Sequence, residues 1–369
     1  MTDGERYRVI VIGAGPAGLA VGHGLRVLGV KHLIIEQGDG PGHVWANLYD
    51  SLTLHTGKHM SALPGMPFPG SAPMFVPRAQ FVEYLASYAR QFRLPIQTRT
   101  TATRIERADG FWHIVTSGGD LRAKALIVAT GIVSNPRAPY IPDQEHFGGT
   151  VTHAVEYRRP APYAGRRVLV VGVGNTGAEI ASELARAGVQ VTLAVRSGAN
   201  VVPRSMFGIP IQYLGYWVRK LPQPAQRAIV GAVGKLTELT RGAPVLPRPA
   251  HGPLDAIPVI GFGLVDAIRS GQVLVAGAIE SFTESGVRFT DGSQEDFDDV
   301  ILATGYTAAL QPLRSLVRMD DRGFAARYNR VASADQPHLY FVGHNYDATG
   351  GLHNIARDAP EAARMAVVA

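Results

Sequence analysis

The chain has 369 residues, 46% of them hydrophobic and 18% charged, a balance that supports a sizeable core and suggests two domains. Its net charge of +6 comes from scattered basic residues with no run resembling a nucleic-acid patch, so a mild positive field favours a small polyanionic ligand over nucleic acid. There is no cysteine, which excludes disulfides, thiolate metal sites, cysteine nucleophiles and any redox relay through a thiol pair.

The N-terminal residues are polar and lead straight into the first strand. No signal peptide, no integral membrane span and a cytoplasmic location are expected. That strand is Tyr7-Arg8-Val9-Ile10-Val11-Ile12. It runs into Gly13-Ala14-Gly15-Pro16-Ala17-Gly18 and a helix through Leu19, Leu25 and Leu28. A second strand, His32-Leu33-Ile34-Ile35, ends at Glu36, with Gln37 beyond. The GxGxxG spacing serves three needs: a tight turn, close backbone approach to a pyrophosphate, and helix-on-strand packing. The helix N-terminus adds unsatisfied N–H groups and a partial positive charge. Glu36, 18 residues after Gly18, is where an acid accepts hydrogen bonds from ribose hydroxyls, which suits the adenosine of FAD. The bland alternative is a tight turn with no ligand.

Pro77 starts a helix with Phe81, Leu85, Tyr88 and Phe92 on one face. An alternating segment from Phe111 to Thr116 and a turn at Gly118-Gly119 lead to a buried strand ending Leu126-Ile127-Val128-Ala129-Thr130-Gly131. The proline-rich stretch 135–162 then connects to a second domain.

That domain repeats the plan. The strand Arg167-Val168-Leu169-Val170-Val171 precedes Gly172-Val173-Gly174-Asn175-Thr176-Gly177, a helix to Ala187, and the strand Val189 to Val195. Gly29 and Gly188 mark equivalent turns. Seven residues past the first is Glu36; seven past the second is Val195, followed by Arg196 and Ser197. With the acid absent and a guanidinium adjacent, this loop suits a 2′-phosphate, hence NADPH. The alternative for Arg196 is a solvated charge at a strand end. Asn175 and Thr176 would meet the pyrophosphate, or simply cap the helix.

Residues 200–262 exceed a minimal dinucleotide fold. Met206 to Val218 is apolar and aromatic, and Pro224 starts a helix with Ile229, Val233, Leu236 and Leu239 on one face. Helical packing, a substrate-channel wall or lid, and a peripheral membrane contact near Trp217, Arg219 and Lys220 are the open readings. A strand ending Val300-Ile301-Leu302-Ala303-Thr304-Gly305 echoes the Ala129-Thr130-Gly131 strand. A small residue and glycine there let the chain pass close to a cofactor as it crosses between domains. The last strand ends at Phe341-Val342-Gly343, meeting the flavin, before a tail with Gly350-Gly351-Leu352.

Between the loops stands Phe147-Gly148-Gly149-Thr150-Val151-Thr152-His153-Ala154-Val155-Glu156-Tyr157, which fits FxGxxxHxxxY. Trp45, the stretch Tyr49 through His55 to Lys58, Met66-Pro67-Phe68-Pro69, Leu246-Pro247-Arg248-Pro249 with Gly252-Pro253-Leu254, and Ala303-Thr304-Gly305-Tyr306 extend the likeness over essentially the whole chain. The sequence resembles the flavin-containing monooxygenases, most of all the plant YUCCA branch and its bacterial relatives. His55 stands where animal-type members carry asparagine, and Tyr157 where Baeyer–Villiger relatives carry tryptophan.

The resemblance implies an α/β fold of two dinucleotide-binding, Rossmann-like domains of the FAD/NAD(P)-linked reductase type. Residues 1–150 and 302–369 would form the FAD domain and 151–301 the NADPH domain, with the insertion at 200–262. NADPH reduces FAD, and the reduced flavin takes up O2 as a hydroperoxyflavin that oxygenates a small organic substrate. A 2-oxo acid such as indole-3-pyruvate, with decarboxylation, or a soft nitrogen or sulfur nucleophile are the candidate substrates. An electron-transfer flavoprotein serving a partner protein is the rival of another class. The resemblance puts His55 near flavin and nicotinamide, with Lys58 and Asn175 as further catalytic candidates. It puts Val44, Trp45, Thr101 (through its backbone), Gly343 and Leu352 against FAD, and Arg204 with Ser197 against NADP. His153 and Tyr157 shape the linker between domains. No metal is implied, and a homodimer is expected by family analogy.

Overall fold

The computed structural model describes residues 5–252, 254, 256–347 and 349–368. Residues 1–4, and Pro253 of the Gly252-Pro253-Leu254 stretch, lie outside them. The chain forms two compact units, Met1–Asn135 with Tyr306–Ala369, and Pro136–Gly305. The sequence reading set the joins at 150/151 and 301/302. In the structure each join follows closely on an Ala-Thr-Gly segment, the first after Gly131 and the second directly after Gly305.

In the first unit the strands lie in the order Ile96–Gln97, His32–Ile35, Glu5–Ile12, Gly119–Val128, Phe111–Thr116, Ala102–Ala108. The first four are parallel and the last two antiparallel. Gly119–Val128 is ten residues long and takes two neighbours on one edge. Phe111–Thr116 covers Gly119 to Ala123, and Leu339–Phe341 pairs in parallel with Leu126 to Val128. The central strand reads as a continuous apolar run because both its faces are covered. Val9 and Val11 face one core, while Ile10 and Ile12 face the other, following the two-residue pleat.

The helices Pro16–Val27 and Gly351–Val368 cover the first of these cores. They pack closely, since a Cβ on Gly24 would sit 3.0 Å from Ala363 Cβ. Arg78–Gln91, with Pro77 at its N-cap, buries Phe81, Tyr84, Leu85 and Tyr88 at helical spacing. Its tyrosines also tie down a loop. Tyr84 Oη donates to the Met66 carbonyl at 2.6 Å and accepts the Leu63 N–H at 2.7 Å; Tyr88 Oη donates to the Pro64 carbonyl at 2.6 Å. Burial pushes the Tyr84 phenol up to about 12.

The second unit repeats the arrangement with five parallel strands in the order Val273–Ala276, Gln190–Ala194, Arg167–Val171, Asp299–Leu302, Thr150–His153. A three-stranded antiparallel sheet, Ile279–Phe282, Gly286–Phe289 and Gln294–Asp296, stands in for the antiparallel strands of the first unit. Thr150–His153 takes the place on Asp299–Leu302 that Leu339–Phe341 takes on Gly119–Val128. The same edge position is filled from before the loop in one unit and from the end of the chain in the other.

The insertion holds the helices Ile211–Val218 and Gln223–Arg241. The second begins one residue before Pro224, the proline the sequence singled out, but none of its residues is buried, and the first buries only Gln212. The apolar face of the second helix is thus not buried, while Leu246 and Val259 of the same segment are. Among the described residues no helix is long and apolar enough to cross a membrane.

Candidate dinucleotide sites

The two glycine loops have the same geometry residue by residue. Gly13 and Gly172 have φ of +103° and +105°, a region open to glycine. A Cβ on Gly13 would meet the Ala129 carbonyl oxygen at 2.6 Å, and one on Gly172 the Ala303 carbonyl oxygen at 2.7 Å. A Cβ on Gly18 would collide with the Gly13 carbonyl oxygen, and one on Gly177 with the Gly172 carbonyl oxygen. The outer glycines are therefore demanded by the chain itself. The Ala-Thr-Gly echo acquires a physical meaning too: the strand ending there leans on the first glycine of its loop.

The middle glycines differ. Gly15 and Gly174 are the N-caps of the following helices, with φ, ψ of −75°, −174° and −76°, −178°, and neither helix has a side-chain cap. A Cβ on either would meet nothing within 4 Å. No contact within the protein requires glycine at these two positions. What remains is a cradle of bare backbone at the positive end of a helix, open to an external group, which fits a pyrophosphate. Pro16 at the start of the first helix has no N–H, so Ala17 and Gly18 carry the donors there; Asn175, Thr176 and Gly177 carry them in the second.

Register aligns the ribose-reading positions. Gly13 N–H donates to the Ile35 carbonyl at 2.8 Å and Gly172 N–H to the Ala194 carbonyl at 3.0 Å. Glu36 thus corresponds to Val195, and Gln37 to Arg196. The Glu36 carboxylate is buried and accepts the Ala14 N–H at 2.7 Å and the Gly38 N–H at 2.8 Å. It braces the glycine loop against the second strand, with lone pairs to spare for ribose hydroxyls. Val195 is buried and apolar, while Arg196 and Ser197 are exposed. No partner for the Arg196 guanidinium is found among the described residues.

Other candidates carry structural duties. Asn175 spends both ends of its amide on the insertion: Nδ2 donates to the Pro258 carbonyl at 2.9 Å and Oδ1 accepts the Ile260 N–H at 2.8 Å. Lys58 Nζ donates to the carbonyls of Gly70 at 2.9 Å and Ala72 at 2.7 Å, clamping that loop. Thr101 exchanges its backbone N–H and C=O with Ser117, at 3.0 Å each way. Arg204 accepts the Ile211 N–H on its carbonyl at 3.1 Å, across the ribbon that pairs Ser205–Met206 with Ile209–Pro210. Val44 and Trp45 lie on the short helix His43–Ala46, where the Trp45 ring stands edge-on to Phe81 at 4.7 Å.

His55 is half-buried on a bend held at both ends. Leu54 N–H donates to the Val76 carbonyl at 2.9 Å and Lys58 N–H to the Met74 carbonyl at 2.8 Å. Thr130 Oγ1 donates to the Ala309 carbonyl at 2.9 Å, and Thr304 Oγ1 donates to the Arg137 carbonyl, so each Ala-Thr-Gly threonine ties its strand end to a segment distant in sequence, 179 and 167 residues away. His153 Nε2 sits 3.2 Å from the Gly305 carbonyl, and the buried Tyr157 donates to Glu183 at 3.0 Å. These fingerprint residues secure an edge strand and its turn within the second unit.

Beyond Gly343 lies a network that the sequence reading missed. Asp358 is fully buried, accepts Arg330 Nε at 2.6 Å and Asn345 Nδ2 at 2.5 Å, and so fixes the turn that leads into the helix bearing Leu352. Its members are 13 and 28 residues from Asp358, so no local pattern announces them. The adjacent His344 is fully buried between Phe324 and Phe341, and neither ring nitrogen has a hydrogen-bond partner among the described residues. Burial holds its pKa down to about 3.

Two Rossmann-type units, each with an open glycine cradle, define an oxidoreductase fold built for two dinucleotides. Comparison with known proteins narrows this. The profile of the family "Flavin-binding monooxygenase-like" matches residues 6–336. The chain is 37% identical over 309 residues to indole-3-pyruvate monooxygenase YUCCA1 of Oryza sativa subsp. japonica, covering 80% of this chain and 76% of that protein. It is 36% identical over 311 residues to probable indole-3-pyruvate monooxygenase YUCCA4 of Arabidopsis thaliana, covering 80% and 75%. Among solved structures, a mutant flavin monooxygenase from Stenotrophomonas maltophilia superposes with a TM-score of 0.79 at 26% identity, covering 99% of each chain. The protein belongs to the flavin-binding monooxygenase-like family and is an enzyme, an oxidoreductase.

Proposed function

We propose that this monooxygenase converts a 2-oxo acid of the indole-3-pyruvate kind to the acid one carbon shorter. FAD and NADPH are its cofactors. The observation that carries the substrate class is the 37% identity to a protein named indole-3-pyruvate monooxygenase, over four-fifths of the chain. The balance is R–CO–COOH + NADPH + H+ + O2 giving R–COOH + CO2 + NADP+ + H2O. Bound FAD, reduced by NADPH, supplies the activated oxygen.

The protein's part is to hold and orient. The cradle at Gly13, Gly15 and Gly18 holds the FAD pyrophosphate, and Glu36 holds both its own loop and the ribose. The cradle at Gly172, Gly174 and Gly177 holds the NADPH pyrophosphate, and Arg196 grips the 2′-phosphate with a guanidinium fork. Ala129, Thr130, Gly131 and Gly343 line the first cofactor and Ala303, Thr304 and Gly305 the second. His55, on its pinned bend, would be the side chain that holds or hands on a proton beside the flavin. Lys58 and Asn175 act one step back. Lys58 fixes the 69–72 loop beside that bend, and Asn175 locks the second helix start to Ile260. The reading includes a cytoplasmic enzyme and a homodimer.

The test uses the FAD-loaded enzyme with NADPH and 18O2. Indole-3-pyruvate is expected to yield indole-3-acetate carrying one 18O, one product per NADPH. NADPH oxidation with stoichiometric peroxide and no product would overturn the 2-oxo acid. Preferential oxygenation of a tertiary amine or thioether would move the enzyme to heteroatom chemistry.

A further inference from the structure

The helix Gln223–Arg241 is 19 residues long and buries none of them. Helices this long normally hold their place by burying an apolar stripe. The stripe exists: Ile229, Val233, Leu236 and Leu239 fall at helical spacing, while Arg227 and Arg241 lie on the opposite side and Lys235 flanks the stripe one turn before Leu239. Leu239 is 84% exposed, and the preceding segment adds Trp217 at 64% and Phe207 at 87%.

Charge is concentrated in the same place. Residues 204–248 contain seven arginines and lysines and one acid, Glu238, a net +6. The whole chain, with 36 basic and 30 acidic residues, is also +6, so the remainder carries 29 of each and is neutral. The basic residues taken as scattered therefore leave their entire excess on this segment. Arg241 pairs with Asp266 at 3.0 Å and Arg248 with Glu238. Arg219, Lys220, Arg227 and Lys235 have no carboxylate partner among the described residues. Lys220 Nζ lies 4.4 Å from the ring centroids of both half-buried Tyr216 and exposed Trp217.

We propose that this face docks on an anionic lipid surface, with the helix Gln223–Arg241 lying in the plane of the interface. A second copy of the chain would bring the same excess of six positive charges, and repulsion opposes self-association through this face. A nucleic acid would satisfy the cations but leave Phe207, Trp217 and Leu239 in water. An anionic bilayer satisfies both: apolar side chains enter the acyl boundary while lysine and arginine heads reach back to the phosphates.

The test is sedimentation of the flavin-loaded, full-length enzyme with phosphatidylcholine vesicles, with and without about 30% phosphatidylserine. Two variants accompany it, one with Arg219→Gln, Lys220→Gln, Arg227→Gln and Lys235→Gln, the other with Trp217→Ser and Leu239→Ser. All six side chains are solvent-facing, and bound flavin and melting temperature check that the variants fold. Binding is expected on the anionic vesicles only, with a blue shift of tryptophan emission. The charge variant is expected to bind roughly a thousandfold more weakly, and the apolar variant to lose the blue shift. No sedimentation of wild type on anionic vesicles at low salt, or binding by both variants as tight as that of wild type, would overturn the proposal. A dimer in ultracentrifugation that the apolar variant dissociates would assign the face to a second copy and overturn it too.

Discussion

Replacing Gly15 by alanine should separate binding from folding, because the chain itself has no use for glycine there. The residue has φ −75° and ψ −174°, extended backbone that alanine adopts freely, and the new methyl meets no atom within 4 Å. Alanine is a poorer N-cap by about 0.5–1 kcal/mol. Lower freedom of the unfolded chain returns about 0.4–1 kcal/mol. The apoprotein is therefore expected within about 1 kcal/mol of wild type, a shift of roughly 2–4 °C at most in Tm. The methyl stands where the pyrophosphate must approach. Each charge-assisted hydrogen bond it lengthens is worth about 1.5–3 kcal/mol, so FAD should bind about 10- to 150-fold more weakly. Gly13→Ala is the contrast. Its φ of +103° strains alanine by about 1–3 kcal/mol. Its methyl would also lie 2.6 Å from the Ala129 carbonyl oxygen, adding about 1–3 kcal/mol of overpacking. Urea melts of the two apoproteins and FAD titration by fluorescence quenching measure both quantities. Unchanged FAD affinity in Gly15→Ala would refute the cradle, and a Gly13→Ala apoprotein as stable as wild type would refute the assigned packing role.

Two further expectations rest on single residues. Arg196→Ala should raise the KM for NADPH about tenfold, the equivalent of one exposed charge-assisted bond, while leaving that for NADH nearly unchanged; equal losses would remove the arginine from 2′-phosphate recognition. His344 is buried and its pKa is held down to about 3 against an ordinary 6.5. Below pH 6.5 the unfolded chain takes up a proton that the folded site refuses, so stability is lost as pH falls from 6.5 towards 3 and is unaffected above. The slope approaches about 1.4 kcal/mol per pH unit for this one group. Denaturant melts of His344→Phe against wild type across that range should show the slope reduced by one proton; identical slopes would mean that His344 protonates in the folded state as freely as in the unfolded one.

Much of the fold was legible because its signals are local. A strand, three glycines, a helix and a second strand occupy about thirty consecutive residues, and the chain writes that pattern twice. The difference between Glu36 and Arg196 could be read by counting from Gly29 and Gly188, since equal loop lengths give equal registers. The Ala-Thr-Gly echo was visible as a repeat, although its reason, pressure on the first loop glycine, needed the strands side by side. The missing cysteines and the 147–157 fingerprint narrowed the chemistry without any coordinates.

What only tertiary structure decided was which polar groups and faces were already taken. Lys58 and Asn175 look like site residues in a linear text, but their donors and acceptors are spent on carbonyls and N–H groups 12 to 85 residues away. Asp358, Arg330 and Asn345 look unremarkable in sequence and form an ionic knot around a buried carboxylate. The amphipathic helix Gln223–Arg241 could be drawn from its spacing, yet spacing shows that an apolar face exists and not what covers it. Propensity and periodicity act between near neighbours along the chain. Hydrogen-bond partners and burial are set by residues that only folding brings within a few ångströms.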